Sequence, residues 1–133
     1  MLYAVSFSNG VLGVFSSMDK VKEHVLEQYT HISFIIQVYN IDESCSSEIV
    51  WVILYKDSDN IALVTNNKER AESTKKILNK VGKSYDEDIT YWELKIDTIA
   101  SAIEPIVTHL DNAYKETSPI GIDSSDSIIY YTQ

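Results

Sequence analysis

Acid–base, thiol or metal chemistry in this chain would have to start from three histidines, one cysteine and two short acidic runs. His24 and Glu27 stand about one helical turn apart, the spacing of an acid–base pair, but no second histidine completes an HExxH pattern around them. His31 and His109 have no metal-ligand spacing to either. Cys45 lies in "DESCSSE", a polar stretch that offers neither a neighbouring base nor a second thiol, so it reads as an inert linker thiol. In "DSDN", Asp57 and Asp59 open like a calcium loop, yet Ala62 stands where that loop needs glycine and Lys68 where a bidentate Glu must close it. The run "YDEDI" places Asp86, Glu87 and Asp88 in a loop, where they form a solvated acidic patch or a contact for a basic partner. No GxGxxG, P-loop or GxSxG pattern occurs, and four glycines leave little material for a phosphate-cradling loop. The sequence therefore nominates no catalytic residue, no cofactor and no metal.

Charge narrows the partners. The net charge of −9 disfavours general affinity for nucleic acid or an anionic membrane and suits a basic protein. Residues 101–133 set five carboxylates against a single lysine, Lys115. The opposite extreme is "KERAESTKKILNKVGK", where Lys68, Arg70, Lys75, Lys76, Lys80 and Lys83 fall within sixteen residues of an amphipathic helix whose inner stripe reads Ala71, Thr74, Ile77, Leu78 and Val81, with most of the lysines on the outer face. The bland reading of that face is solvation, and a local phosphate or nucleic-acid contact is the alternative. One cysteine fits a reducing compartment. With no run of eighteen apolar residues and no secretory leader pattern in "MLYAVSFSNGVLG", the expectation is a soluble cytoplasmic protein.

The elements that would position these groups come in two similar sets. In "LYAVSFSNGVLGVF" two apolar runs flank Asn9-Gly10, a type I′ hairpin signal, and Ser16-Ser17 then caps a helix that should bury Met18, Val21, Val25 and Tyr29. "ISFIIQVYNID" supplies a third strand. The second set repeats this order: "IVWVILYK", "DSDN", "IALVT", the cap "NN", the helix, and "ITYWELKIDTI". The offset between copies is 48 residues in the first strand, 50 at the cap and 55 in the last strand, with both changes falling in loops. Right-handed crossovers would put the first strand of each set in the middle, order 2-1-3, antiparallel. Trp51 and Trp92 read as core. The expected architecture is α+β: tandem duplicated β-β-α-β units over residues 1–43 and 49–100, joined by a linker at 44–48, with one helix each. The two sheets would either run on as six strands or pack together.

Residues 101–133 form a C-terminal extension, with a short helix beginning near Pro105 and a terminal strand in "SIIYYTQ". Ile128, Ile129, Tyr130 and Tyr131 should add to the chain's own sheet; the alternative is an arm that pairs with a partner.

The run "YAVSFSNGVLGVFSSMDKVKEHV" followed by "FIIQVYNIDE" resembles small β-β-α-β proteins of large DNA viruses and bacteriophages, in which a strand pair reading G-V-F-S-S leads into a helix. The likeness spans residues 1–43 and, more loosely, 49–99. It implies a viral or phage origin, in host cytosol or virion, and carries no catalytic residues to transfer. The expected function is a non-enzymatic protein–protein interaction module, monomer or homodimer, acting as a minor structural or accessory protein. Its contacts would be Asp86, Glu87, Asp88 and Ile128–Tyr131. Two alternatives stand beside it. One is an acidic mimic of nucleic acid that inhibits a host enzyme or defence complex. The other is an enzyme, which would need a pocket gathering His24, His31 or His109 with carboxylates.

Overall fold

The computed structural model describes residues 1–8, 10–40, 48–55, 61–85, 89–122 and 127–131. Its strands form two sheets, one of five strands and one of three, so the six-stranded continuous sheet is not formed. The chain divides into a first unit, residues 1–40 with 96–133, and a second unit, residues 41–95.

In the first unit β1 (Leu2–Phe7) pairs antiparallel with β2 (Gly10–Phe15) and with β3 (Ile35–Tyr39), which makes β1 the middle strand as the crossover rule requires. Phe7 pairs with Gly10, so Gly10, at φ 136°, opens β2, whereas the Asn9-Gly10 signal reads it as a turn residue; Asn9 lies outside the described residues. The register slips between Val5 and Ser6, leaving Leu12 as the extra residue of a β-bulge. Ser17 caps the helix α1 (Met18–Val21) by accepting the Lys20 N–H at 3.2 Å, and Asp19 sits in its first turn. The helix runs on as a π-helical turn, Lys22–Leu26, closed by the Glu27 N–H on the Lys22 carbonyl (2.9 Å). Val21 and Val25 are fully buried; Met18 and Tyr29 are only half-buried. The core of the unit includes Phe15 and Phe34, with Phe7 edge-on to Phe34 at 6.2 Å.

In the second unit β4 (Ile49–Tyr55) is central between β5 (Ile61–Thr65) and β6 (Ile89–Lys95), both antiparallel. Its bulge falls between Ile53 and Leu54, with Ala62 extra. Asn67 accepts the Arg70 N–H at 3.2 Å and so caps α2 (Lys68–Tyr85), which continues past Gly82 into residues that read in sequence as a loop. A mid-helix glycine costs only about 1 kcal/mol, too little to stop a helix by itself. Ala71 is buried and Thr74 and Leu78 are half-buried, but Ile77 is 62% exposed, contrary to the expected stripe. At 100° per residue Ile77 lies far round the helix from Ala71 and Leu78, so an apolar residue there faces out. The Val81 side chain lies outside the described residues. Trp51 is buried and Trp92 half-buried.

The third strand of the second unit, expected to reach Ile99, stops at Lys95. Asp97 adopts φ 62°, a left-handed conformation that Asp tolerates better than most residues. The chain turns there and Thr98–Ile99 become β7, paired with Val14 and Gly13 of β2. The Asp97 carboxylate accepts the Ser16 N–H and Oγ–H, each at 2.8 Å, and its N–H donates to the Val14 carbonyl. Gly13 makes the approach possible, because a Cβ there would meet the Thr98 carbonyl oxygen at 2.9 Å. Then α3 (Glu104–Thr117), longer than the short helix expected, begins with Pro105 in its first turn. Finally β8 (Ile128–Tyr131) joins the same sheet beside β3, in parallel register.

Candidate functional site

Two features of the first unit offer surfaces for recognition, and the sequence points to only one. That one is β8. Ile35 through Val38 pair with Ile128 through Tyr131, which puts Ile129 and Tyr131 on the side of the sheet where Ile36 and Val38 are buried. The core does not extend under them: Ile129 is 42% and Tyr131 78% exposed. Ile128 and Tyr130, on the other side, are about half exposed as well, next to the exposed Ile35. Among the described residues no strand lies on the outer side of β8. An edge strand normally carries lysine, proline or a bulge that discourages pairing, and Ile-Ile-Tyr-Tyr carries none of these.

The second feature is a cleft of about 440 Å³ between the π-helical turn, β7 and α3. The turn contributes Glu23 and His24, followed by Gln28 and Tyr29; β7 contributes Ile99. From α3 come Glu104, Thr108, Asp111 and Asn112, whose spacing of four, seven and eight residues puts them on one helix face. Packing fixes His24: its ring stacks on Phe15 with centroids 5.8 Å apart and planes at 21°. Asp111 is the anchor of the α3 side. It is buried, and its Oδ1 accepts the His31 backbone N–H at 2.9 Å. The His31 Nδ1 lies 3.9 Å from the same oxygen and 3.0 Å from Thr30 Oγ1, while its Nε2 is buried with no partner among the described residues.

Three carboxylates and no Lys or Arg line this cleft, so its field favours a cation. Of the histidines, His24 is part of it, His31 touches its Asp111 from within the core, and His109 is exposed elsewhere on α3. Glu27, the sequence partner of His24, is exposed and does not line it; Glu23 takes that place. Asp86, Glu87, Asp88, Cys45, Asp57 and Asp59 lie outside the described residues. Among the described residues no three His, Cys, Asp or Glu side chains come together to hold a metal ion. In the second unit, burial and then the Glu72 and Glu93 carboxylates push the Tyr91 phenol above its usual range. Lys75 Nζ lies 4.8 Å from the centre of that ring.

Sequence reasoning misses the α3 residues because Glu104, Thr108, Asp111 and Asn112 read as an ordinary solvated stripe. The one available signal is Asp111, an acidic residue on the same face as the apolar Val107. No family model matches the chain, and neither does any curated protein or solved structure.

Proposed function

We propose that this chain is a non-enzymatic protein-binding module that accepts an extended segment of another protein along β8. The observation that carries the reading is the β8 edge, four apolar residues all between 42% and 78% exposed on a strand with an open outer side among the described residues. Strand addition supplies main-chain hydrogen bonds for affinity and alternate side chains for specificity. The five carboxylates and one lysine of residues 101–133 favour a segment with basic flanks. In the viral or phage setting that the sequence resemblance implies, this is the role of a minor virion component or accessory factor. No helix among the described residues is long and apolar enough to cross a membrane.

The test is a photo-crosslinking residue placed at Tyr131 in the full chain, used in the native cell or virion, with and without Ile129→Lys. One recurrent partner, lost in the variant while thermal stability is unchanged, is the expected result. Capture of the same proteins by both chains, or of none, removes the reading. A ligand-binding or catalytic role is the second reading, favoured by the sharing of one cleft between His24 and three carboxylates.

A further inference from the structure

We infer that β8 pairs with the β8 of a second copy of this chain, antiparallel about a two-fold axis at Tyr130, and that the chain is in this way a reversible dimer. The inference rests on β8 being the open recognition edge of the reading above, and it names a second copy as the resident occupant that any other segment must displace.

The need for an occupant comes from the ends of the sheet. Its order is β7-β2-β1-β3-β8, so β7 and β8 are its two edges among the described residues. β7 is only Thr98–Ile99, and a very short strand is a protected edge. β8 has four residues without a charge, a proline or a bulge, all of them between 42% and 78% exposed. A segment of another protein covers such an edge only in a complex, whereas a second copy is present wherever the chain is. A two-fold dimer is also closed: it occupies both β8 edges and leaves only the short β7 edges, where a head-to-tail pairing would propagate.

The phase of the hydrogen bonds fixes the register. The Ile128 N–H donates to the Phe34 carbonyl at 3.0 Å, inward to β3, and main-chain groups alternate in direction along a strand, so Ile129 and Tyr131 present their N–H and C=O outward. An axis perpendicular to the sheet keeps each face of one copy continuous with the same face of the other. Placed at Tyr130, it sets Ile129 against Tyr131 of the second copy as a pair that exchanges both N–H···O bonds, and symmetry repeats that pair. Placed at Ile129 instead, it makes a single such pair from the residues of β8. Tyr130 then faces its own copy as a non-hydrogen-bonded pair, where side chains lie closest and two aromatic rings stabilise each other. Ile129 beside Tyr131 of the second copy is a β-branched and aromatic pair, on the face where Ile36 and Val38 are buried. No charge on β8 opposes its own copy. The net charge of −9 on each chain does so at longer range, and four residues a side are far fewer than the roughly 20–30 of a stable interface. The dimer is therefore weak, and it tightens as salt screens the repulsion.

The experiment is sedimentation equilibrium of the full chain, carrying Cys45→Ser, between about 1 and 500 μM. A monomer–dimer equilibrium should appear and should tighten between about 0.05 and 0.5 M salt, where binding of a basic segment to the same edge would weaken. Tyr130→Lys, which sets two like charges against each other on the axis, should weaken association about tenfold. Ile120→Lys, at an apolar residue 86% exposed outside β8, should change nothing. Register is read by disulfide trapping in the same background, where the introduced thiol is the only one in the chain. Tyr130→Cys should link to its own copy fastest under mild oxidant, since facing residues of a non-hydrogen-bonded pair stand about 4.5 Å apart at Cα, within disulfide reach. Ile128→Cys, on the same face, should fail, because its own copy lies about 13 Å away along the strands. A monomer at every concentration overturns the inference and leaves β8 open to a foreign segment. Equal weakening by Ile120→Lys and Tyr130→Lys, or faster trapping at Ile128→Cys or Ile129→Cys than at Tyr130→Cys, also overturns it, since association would not run through this register. Failure of Tyr131 to crosslink any other protein would remove only the earlier reading.

Discussion

Laid strand on strand, the two units have the same pairing register. Val5 pairs with Gly13 and Ile36, and Ile53 pairs with Leu63 and Tyr91, positions related by offsets of 48, 50 and 55 residues. Both hairpins bulge at the matching residue, Leu12 and Ala62, and both helices are capped at the matching position, Ser17 and Asn67. The difference lies at the edges. β2 and β3 are covered by β7 and β8, whereas β5 and β6 have no further strand among the described residues. The burial follows: every residue of β2 is buried, while Ile61, Ala62 and Leu63 of β5 are half-exposed. A three-stranded sheet with one helix has little core of its own. The first unit relieves that by taking back residues 96–131, and with them come the cleft and the β8 edge. In this molecule both candidate sites draw on elements beyond the pattern the two units share: β8 at the edge, and β7 and α3 at the cleft.

The comparison breaks most sharply at Asp97, where the chain returns to the first unit. Asp97→Ala loses two hydrogen bonds to Ser16 and places alanine at φ 62°. The two hydrogen bonds contribute about 1 kcal/mol each, and alanine tolerates the left-handed backbone, which costs a non-glycine residue about 1–2 kcal/mol, only somewhat worse than the Asp it replaces, so the variant should lose about 2–3 kcal/mol in urea unfolding. Asp97→Gly keeps the backbone freedom and should lose about half of that. Amide exchange at Gly13 and Val14 should rise in both, with the second unit unaffected. Equal losses for Ala and Gly would show that the turn conformation carries no cost.

Gly13 sharpens the same point at a smaller scale. Its counterpart is Leu63, on an edge with no further strand among the described residues, and only the first unit needs a bare Cα there. A Cβ at Gly13 would meet the Thr98 oxygen at 2.9 Å and the Phe15 ring at 3.1 Å. Gly13→Ala should destabilise by about 1–2 kcal/mol, the range of a local overpacking. Leu63→Ala should expose no such conflict at β7. Faster exchange of the Ala100 amide, which donates to the Leu12 carbonyl at 2.7 Å, is the local readout. Unchanged exchange at Ala100 in Gly13→Ala would mean that β7 shifts aside without cost.

How much of this is legible follows from the range of the interactions. The hairpins, the caps and the central place of β1 and β4 are written in neighbouring residues: alternation, turn chemistry, a Ser or Asn ahead of a periodic run. The α+β class is legible for the same reason. What is not legible depends on partners far along the chain. Asp97 reads as one more strand residue because the donor its carboxylate accepts from, Ser16, stands 81 positions earlier. The cleft is hidden because Glu23 and Asp111 come from elements whose meeting no local pattern announces. Ile77 departs from its expected place for a geometric reason: three residues from Thr74, it counts into the stripe by spacing although it sits on the helix's outer side. The β8 residues read as strand-forming because propensity there is strong, but the parallel direction of their pairing with β3 has no signature in the four residues themselves.

The smallest expected effect is also the one that isolates the second unit. Tyr91 pairs with Ile53 as the fully buried Ile36 pairs with Val5 in the first unit, and Lys75 Nζ lies 4.8 Å from the centre of the Tyr91 ring. The Tyr91 phenol is raised by burial first and by Glu72 and Glu93 after it. A group with a raised native value holds its proton when the unfolded chain has lost it, so its contribution is complete below the ordinary phenol value of about 10 and disappears as pH rises through the native value. Wild-type stability should therefore fall between about pH 9 and pH 11 more steeply than that of Tyr91→Phe, which keeps a ring under Lys75 but has no proton to lose. The difference should be well under about 1 kcal/mol, as for an exposed cation–ring contact. Absorbance titration of the phenols, wild type minus Tyr91→Phe, gives the native value directly. A difference curve centred at or below the ordinary phenol value would show that the Lys75 ammonium outweighs burial and both carboxylates, and that the second unit holds this strand by charge where the first holds it by packing.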